Sequence, residues 1–143
     1  MKVIDEGVIK YNRSNFTHSD PINLVEYSEL EYWRKKLFKL NLIGEYLEFG
    51  VGFGNLSEVK DFSQYYETTK TQFLITGTQT GKYSDLDGNF YTRVLDYDIT
   101  HLNIKTMDHW RLQVKLSLTL LFTSIIKKSW PYFMFILVKF GKE

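Results

Sequence analysis

No cysteine occurs in this chain. Disulfides, thiolate metal sites and cysteine nucleophiles are therefore excluded, and a reduced, cytoplasmic setting is compatible with the composition. The first residues, Met1-Lys2-Val3-Ile4-Asp5-Glu6, contain no apolar run, so no secretory signal is expected. Net charge is only +1, which gives no electrostatic case for nucleic acid as a partner. No internal repeat or low-complexity tract is evident. The histidines, His18, His101 and His109, show neither His-x-His nor His-Glu-x-x-His spacing. Surface or locally bonded histidines are therefore expected, rather than metal ligands.

What is present argues for a folded domain. Hydrophobic residues make up 43% and aromatics 17% of 143 residues, enough apolar material for a core in one domain. Charge is distributed unevenly. Residues 1–108 carry 12 Lys/Arg and 16 Asp/Glu, a net of −4, whereas residues 109–143 carry 6 Lys/Arg and one acid, a net of +5. Such a shift marks either a basic tail or a change in what the sequence encodes. Beyond Trp110 the stretches Leu116–Ile126 and Tyr132–Val138 are almost continuously apolar. Each is shorter than the roughly 20 residues a bilayer span needs, so buried core is expected ahead of an interfacial segment.

The pattern predicts an extended lead-in over residues 4–18, with a turn at Asn12-Arg13-Ser14-Asn15. A helix follows, capped by Asp20-Pro21 or by Ser28 with Glu31 in a Ser-x-x-Glu box. Leu30, Trp33, Leu37 and Leu40 recur at helical spacing and predict the buried face, with Arg34, Lys35, Lys36 and Lys39 largely off it. The helix is expected to end near Asn41. Strands are predicted at Phe73–Thr76, at Phe90–Val94 extended through Ile99, and at Leu102–Lys105. Asp87-Gly88-Asn89 reads as a turn.

Two loops could carry chemistry. Gly54-Asn55-Leu56-Ser57 offers an amide, a hydroxyl and accessible backbone N–H groups, which suit an anion. A turn in which Asn55 and Ser57 bond their own backbone is the competing reading. Thr76-Gly77-Thr78-Gln79-Thr80-Gly81 follows a predicted strand, where α/β folds often place ligand loops. It is not a Walker A loop, because Gly81-Lys82 leads into Tyr83. Asp96 and Asp98 share one face of a strand opposite Tyr97; solvated strand-end acids are expected there ahead of a cation site. Ser57 has no identifiable His/Asp partners for a nucleophile role.

In order, the helix ending at Leu42-Ile43-Gly44, the Gly54-Asn55-Leu56-Ser57 element, the Phe73–Gly81 segment and the strand through Tyr97-Asp98-Ile99 resemble the class II aldolase/adducin family, of the L-fuculose-phosphate aldolase type. The resemblance covers roughly residues 4–107. It implies an α/β fold: a three-layer α/β/α domain around a largely antiparallel sheet. It also implies sugar-phosphate chemistry, in which a divalent metal, commonly zinc, stabilises an enediolate. By the same resemblance Asn55 and Ser57 belong to a substrate-phosphate site together with a Thr-Gly pair. Thr76-Gly77 and Thr80-Gly81 both fit that pair. The family continues with Ser-Ser-Glu, His-x-His and a later His, and none of these follows Val94 here. No catalytic residue, metal ligand or cofactor is therefore assigned.

Residues 1–108 thus read as the aldolase-like N-terminal part, incomplete and without an identifiable mechanism for carbon–carbon cleavage. Residues 109–143 read as a divergent segment, encoded out of frame or reshaped. The other readings are a non-catalytic, adducin-like interaction domain and a peripheral membrane protein acting through residues 109–143. An uncovered sheet edge in an incomplete domain would favour homo-oligomers.

Overall fold

The computed structural model describes residues 12–114. The start of the predicted lead-in and the two long apolar stretches lie outside that range. The order is β1 (Asn12–His18), α1 (Leu24–Lys39), β2 (Gly44–Tyr46), β3 (Val51–Phe53), β4 (Ser57–Val59), β5 (Phe73–Thr76), β6 (Tyr91–Asp98) and β7 (Asn103–Asp108). Single 3-10 turns occupy Thr80–Lys82 and Gly88–Phe90. Five strands form a mixed sheet in the order β1-β7-β6-β5-β4, and β2 with β3 forms a separate antiparallel pair. Within the large sheet only β1–β7 is parallel. This is an α/β-type fold. No helix among the described residues is long and apolar enough to cross a membrane.

The predicted turn at Asn12–Asn15 is instead the start of β1. Pairing with the distant β7 supplies its backbone partners, and a register shift between Asn12 and Asn15 absorbs the irregular sequence. Helix α1 is capped by neither predicted candidate. Asn23 is the cap, and its side chain accepts the Glu26 N–H at 3.3 Å. At the other end Asn41 takes a left-handed conformation (φ 59°), and the Leu42 N–H returns to the Leu37 carbonyl at 3.0 Å. These two features stop the helix where it was expected to stop.

The buried face of α1 also differs from the expected one. Leu30 and Leu37 are buried, but Trp33 and Leu40 are 39% and 67% exposed, while Glu31 and Arg34 are buried. The inward stripe is therefore Leu30, Arg34 and Leu37. Its Leu30 and Leu37 pack in a cluster with Leu74, Tyr91 and Leu95 of the sheet. Phe73, Ile75, Val94, Tyr97 and Ile104 form a second cluster. Alternation along β5 sends Leu74 to the helix side and its neighbours to the other. In β6 a register shift between Val94 and Asp96 breaks the alternation. An extra residue there reverses the parity, so that Tyr97 joins Val94 in the second cluster.

Candidate functional site

The two loops singled out in the sequence meet at the ends of β3 and β5. Gly54 follows β3 with φ +93°, and a Cβ there would fall on the Ile43 side chain. This backbone is available to glycine at little cost, and it turns Asn55 toward β5. Thr76 joins the two segments. Its N–H donates to the Leu56 carbonyl at 3.0 Å, and its Oγ1 accepts the Leu56 N–H at 3.1 Å. The same hydroxyl lies 3.4 Å from Asn55 Oδ1. Thr80 closes the next turn by donating from Oγ1 to the Gly77 carbonyl at 2.9 Å. A Cβ at Gly81 would fall inside the Phe53 carbonyl, so only glycine permits this approach of the 3-10 turn to β3.

Asn55, Thr76, Gly77, Thr80 and Gly81 are thus brought together, all of them buried. Ser57 is not part of that group. It pairs with Ile75 and so shares the face of the second cluster. Its Oγ has no hydrogen-bond partner, and neither has the Oγ1 of Thr92, which pairs with Ile75 from the other side. Gln79 adopts a left-handed conformation (φ 64°) immediately before the 3-10 turn. A left-handed residue next to right-handed ones is the backbone pattern from which anion-binding nests are built.

One wall of this region comes from Leu112 and Gln113. The Gln113 carbonyl accepts the Thr78 N–H at 2.7 Å, and Leu112 stands 3.4 Å from where a Cβ of Gly77 would be. Asp108 holds that segment back, each of its carboxylate oxygens lying 3.3 Å from the Leu112 N–H.

A buried polar network fixes the chain that leaves Gly81. Arg34 Nε and Nη2 donate to both oxygens of Glu31 at 2.8 and 2.9 Å. Nη1 and Nη2 also donate to the Tyr83 and Ser84 carbonyls at 2.7 and 2.9 Å. Glu31 accepts the Leu86 N–H at 3.0 Å and also the Tyr91 hydroxyl. Burial alone would lower the Arg34 pKa, but the Glu31 carboxylate outweighs it and the group is held above its ordinary value. Burial, then the bond to Glu31, raises Tyr91. Sequence reading placed Glu31 in a cap and Arg34 largely off the buried face. The available signal was an opposite-charge pair three residues apart inside an apolar stripe.

The remaining candidates are dispersed. Asp98 accepts the Thr100 and His101 N–H groups at 2.9 and 3.2 Å and contacts His101 Nδ1 at 2.6 Å. The bond from His101 lowers its pKa. Asp96 instead accepts from Thr68 at 3.2 Å and lies 3.6 Å from Lys70. The two carboxylates are therefore engaged by separate protein partners. Among the described residues no group of three or more His, Cys, Asp or Glu could hold a metal ion. The divalent metal implied by the resemblance thus has no fitting ligand set there, and no reaction step is derived through one. Compared with models of known protein families, with curated proteins and with solved structures, the chain matches none.

Proposed function

We propose that this chain is a phosphate-binding domain similar to the N-terminal part of class II aldolases, with a sugar phosphate as ligand and a three-layer α/β/α arrangement. The carrying observation is the convergence of two loops distant in sequence. Asn55 and Thr76 lie side by side, and Gly81 packs on the Phe53 carbonyl. Three features of that convergence suit an anion. The left-handed Gln79 before the 3-10 turn gives the backbone the pattern that nests are built from. The Asn55 amide lies beside the Thr76 hydroxyl, at the start of the same loop. No carboxylate belongs to the five residues brought together there.

The Thr76 and Thr80 hydroxyls already serve the loops' own backbone. Their role in this reading is to shape the loop, and phosphate contacts fall to backbone N–H groups and Asn55. The Gln113 carbonyl on the Thr78 N–H holds the place of one phosphate oxygen. Ligand must displace it, so binding is weaker than the loop alone would support. This reading is of binding alone: among the described residues no group of three or more His, Cys, Asp or Glu could hold the metal that the resemblance implies.

The test is a backbone amide NMR titration of the full chain with inorganic phosphate, a sugar phosphate and the unphosphorylated sugar. Both phosphates should shift the amides of residues 77–81 and Asn55, and the sugar should leave them in place. Asn55→Asp puts a negative charge beside the anion and should abolish the shifts. Shifts centred on surface lysines, or none at these amides, would overturn the reading.

A further inference from the structure

The parallel pairing of β1 with β7 has a consequence at its C-terminal end. It aligns His18 with Asp108 and so brings His18 beside His109, from opposite ends of the described chain. The imidazole ring centres stand 5.2 Å apart with planes tilted at 47°. The rings are therefore not stacked face to face.

The spacing has a physical meaning. With metal–nitrogen bonds of 2.0–2.1 Å, each ring centre lies ~3.2 Å from the ion, so two imidazoles on one tetrahedral ion have centres roughly 5 Å apart. Tautomer adds a second argument. The His109 Nδ1 lies 3.0 Å from the Ser19 carbonyl oxygen, which can only accept. Nδ1 therefore carries the proton, and Nε2 is left with its lone pair. A ring nitrogen anchored on a backbone carbonyl is the usual outer arrangement of a metal-binding histidine. His18 is exposed and His109 half-buried, so an ion reaches both without opening the core.

The charged neighbours act in opposite directions, Asp108 favouring a cation and Arg111 opposing one. Asp108 is fully buried next to His109 and paired with His18, and it supplies negative potential without being a ligand, since both its oxygens face the Leu112 N–H. Arg111 lies with its guanidinium 5.5 Å from the centre of the Phe16 ring.

We propose that His18 and His109 form a two-imidazole site for a borderline divalent transition metal such as Zn²⁺, Ni²⁺ or Cu²⁺, with water completing the coordination. Imidazole pairs select these ions over Mg²⁺ and Ca²⁺, which require oxygen ligands. The site is separate from the phosphate loop and does not depend on that reading.

The experiment is a Cu²⁺ titration of the full chain followed by electron paramagnetic resonance, with Zn²⁺ as competitor. The intact protein should bind one tight ion with a two-nitrogen signature that Zn²⁺ displaces. His18→Gln and His109→Gln should each remove one nitrogen and weaken binding by at least about tenfold, the loss that even an outer-shell change produces at metal sites. His101→Gln should leave both unchanged. Circular dichroism checks that each variant keeps its fold, and His18→Gln carries the test because its side chain is exposed. A one-nitrogen signature in the intact protein would overturn the proposal. So would equal losses in all three variants.

Discussion

Glu31 and Glu58 are both 6% exposed, yet their surroundings are opposite. Glu31 meets Arg34 through both oxygens and also accepts the Leu86 N–H and the Tyr91 hydroxyl. Glu58, on the edge strand β4, has one oxygen 3.4 Å from Lys60, and its other oxygen has no hydrogen-bond partner. Burial pushes the Glu58 pKa up, with Lys60 pulling against it. Burial alone therefore does not say what a charge contributes. A carboxylate whose acceptor sites are filled fixes one arrangement of the chain, here the segment from Tyr83 to Leu86 beneath α1. One left half-satisfied is a standing cost.

Removing the partner of the satisfied acid should produce the largest effect. Arg34→Met would strand Glu31 as an unpaired buried carboxylate and release the Tyr83 and Ser84 carbonyls. Breaking a buried pair from one side typically costs about 3–5 kcal/mol, and a loss of that size is expected in urea denaturation. Replacing both partners with apolar residues, Glu31→Leu with Arg34→Met, should recover much of it, because no charge remains to be solvated. A single-variant loss near zero would erase the contrast between the two acids.

The same network shows what could be read from the sequence. Phe73–Thr76 was legible as a strand because β-prone residues end at a glycine, and the helix end near Asn41 because a turn-prone residue closes an apolar period. The inward face of α1 was legible only in part, at Leu30 and Leu37. Spacing alone put Trp33 and Leu40 inside, whereas Arg34 is the buried residue, held by carbonyls of a loop that the local pattern cannot place. The start of β1 was missed for a similar reason, since its hydrogen bonds come from β7. At the candidate site, the two loops could be picked out by their glycines. That Ser57 faces the opposite side of the sheet depends on strand parity, which one residue of register reverses. His18 and His109 could not be paired without knowing that β1 and β7 run parallel.

Glu58 sharpens the contrast from the other side. Its folded pKa lies above the ordinary value of 4.5, so the folded state binds its proton more tightly than the unfolded state does. The corresponding stability is fully present below pH 4.5 and is lost as pH rises through the folded pKa. Glu58→Gln keeps the shape and removes the charge. It should stabilise the protein by about 1 kcal/mol at neutral pH, the scale of a buried group with an unmade bond. The gain should vanish at acid pH, where the native side chain is protonated too. Denaturant melts of both proteins across that range measure the difference, and a gain independent of pH would mean that the charge is not its source.

The exposed pair Asp98–His101 sets the lower end of the scale. Its contact is short, 2.6 Å, but the side chains are 42% and 72% exposed, so water and salt screen it. The Asp98 pKa is lowered, first by the His101 side-chain bond. Its contribution is therefore present above the ordinary value of 3.8 and is lost as pH falls through the lower folded value. Asp98→Asn retains an oxygen for the Thr100 and His101 N–H groups and removes only the charge. Its denaturation midpoint at neutral pH and physiological salt should match the native one within error, with a small loss emerging at low salt. A loss exceeding the Glu58→Gln gain would mean that contact distance, rather than burial combined with partner supply, orders the charges in this fold. The reading of Glu31 as the dominant one would then fail with it.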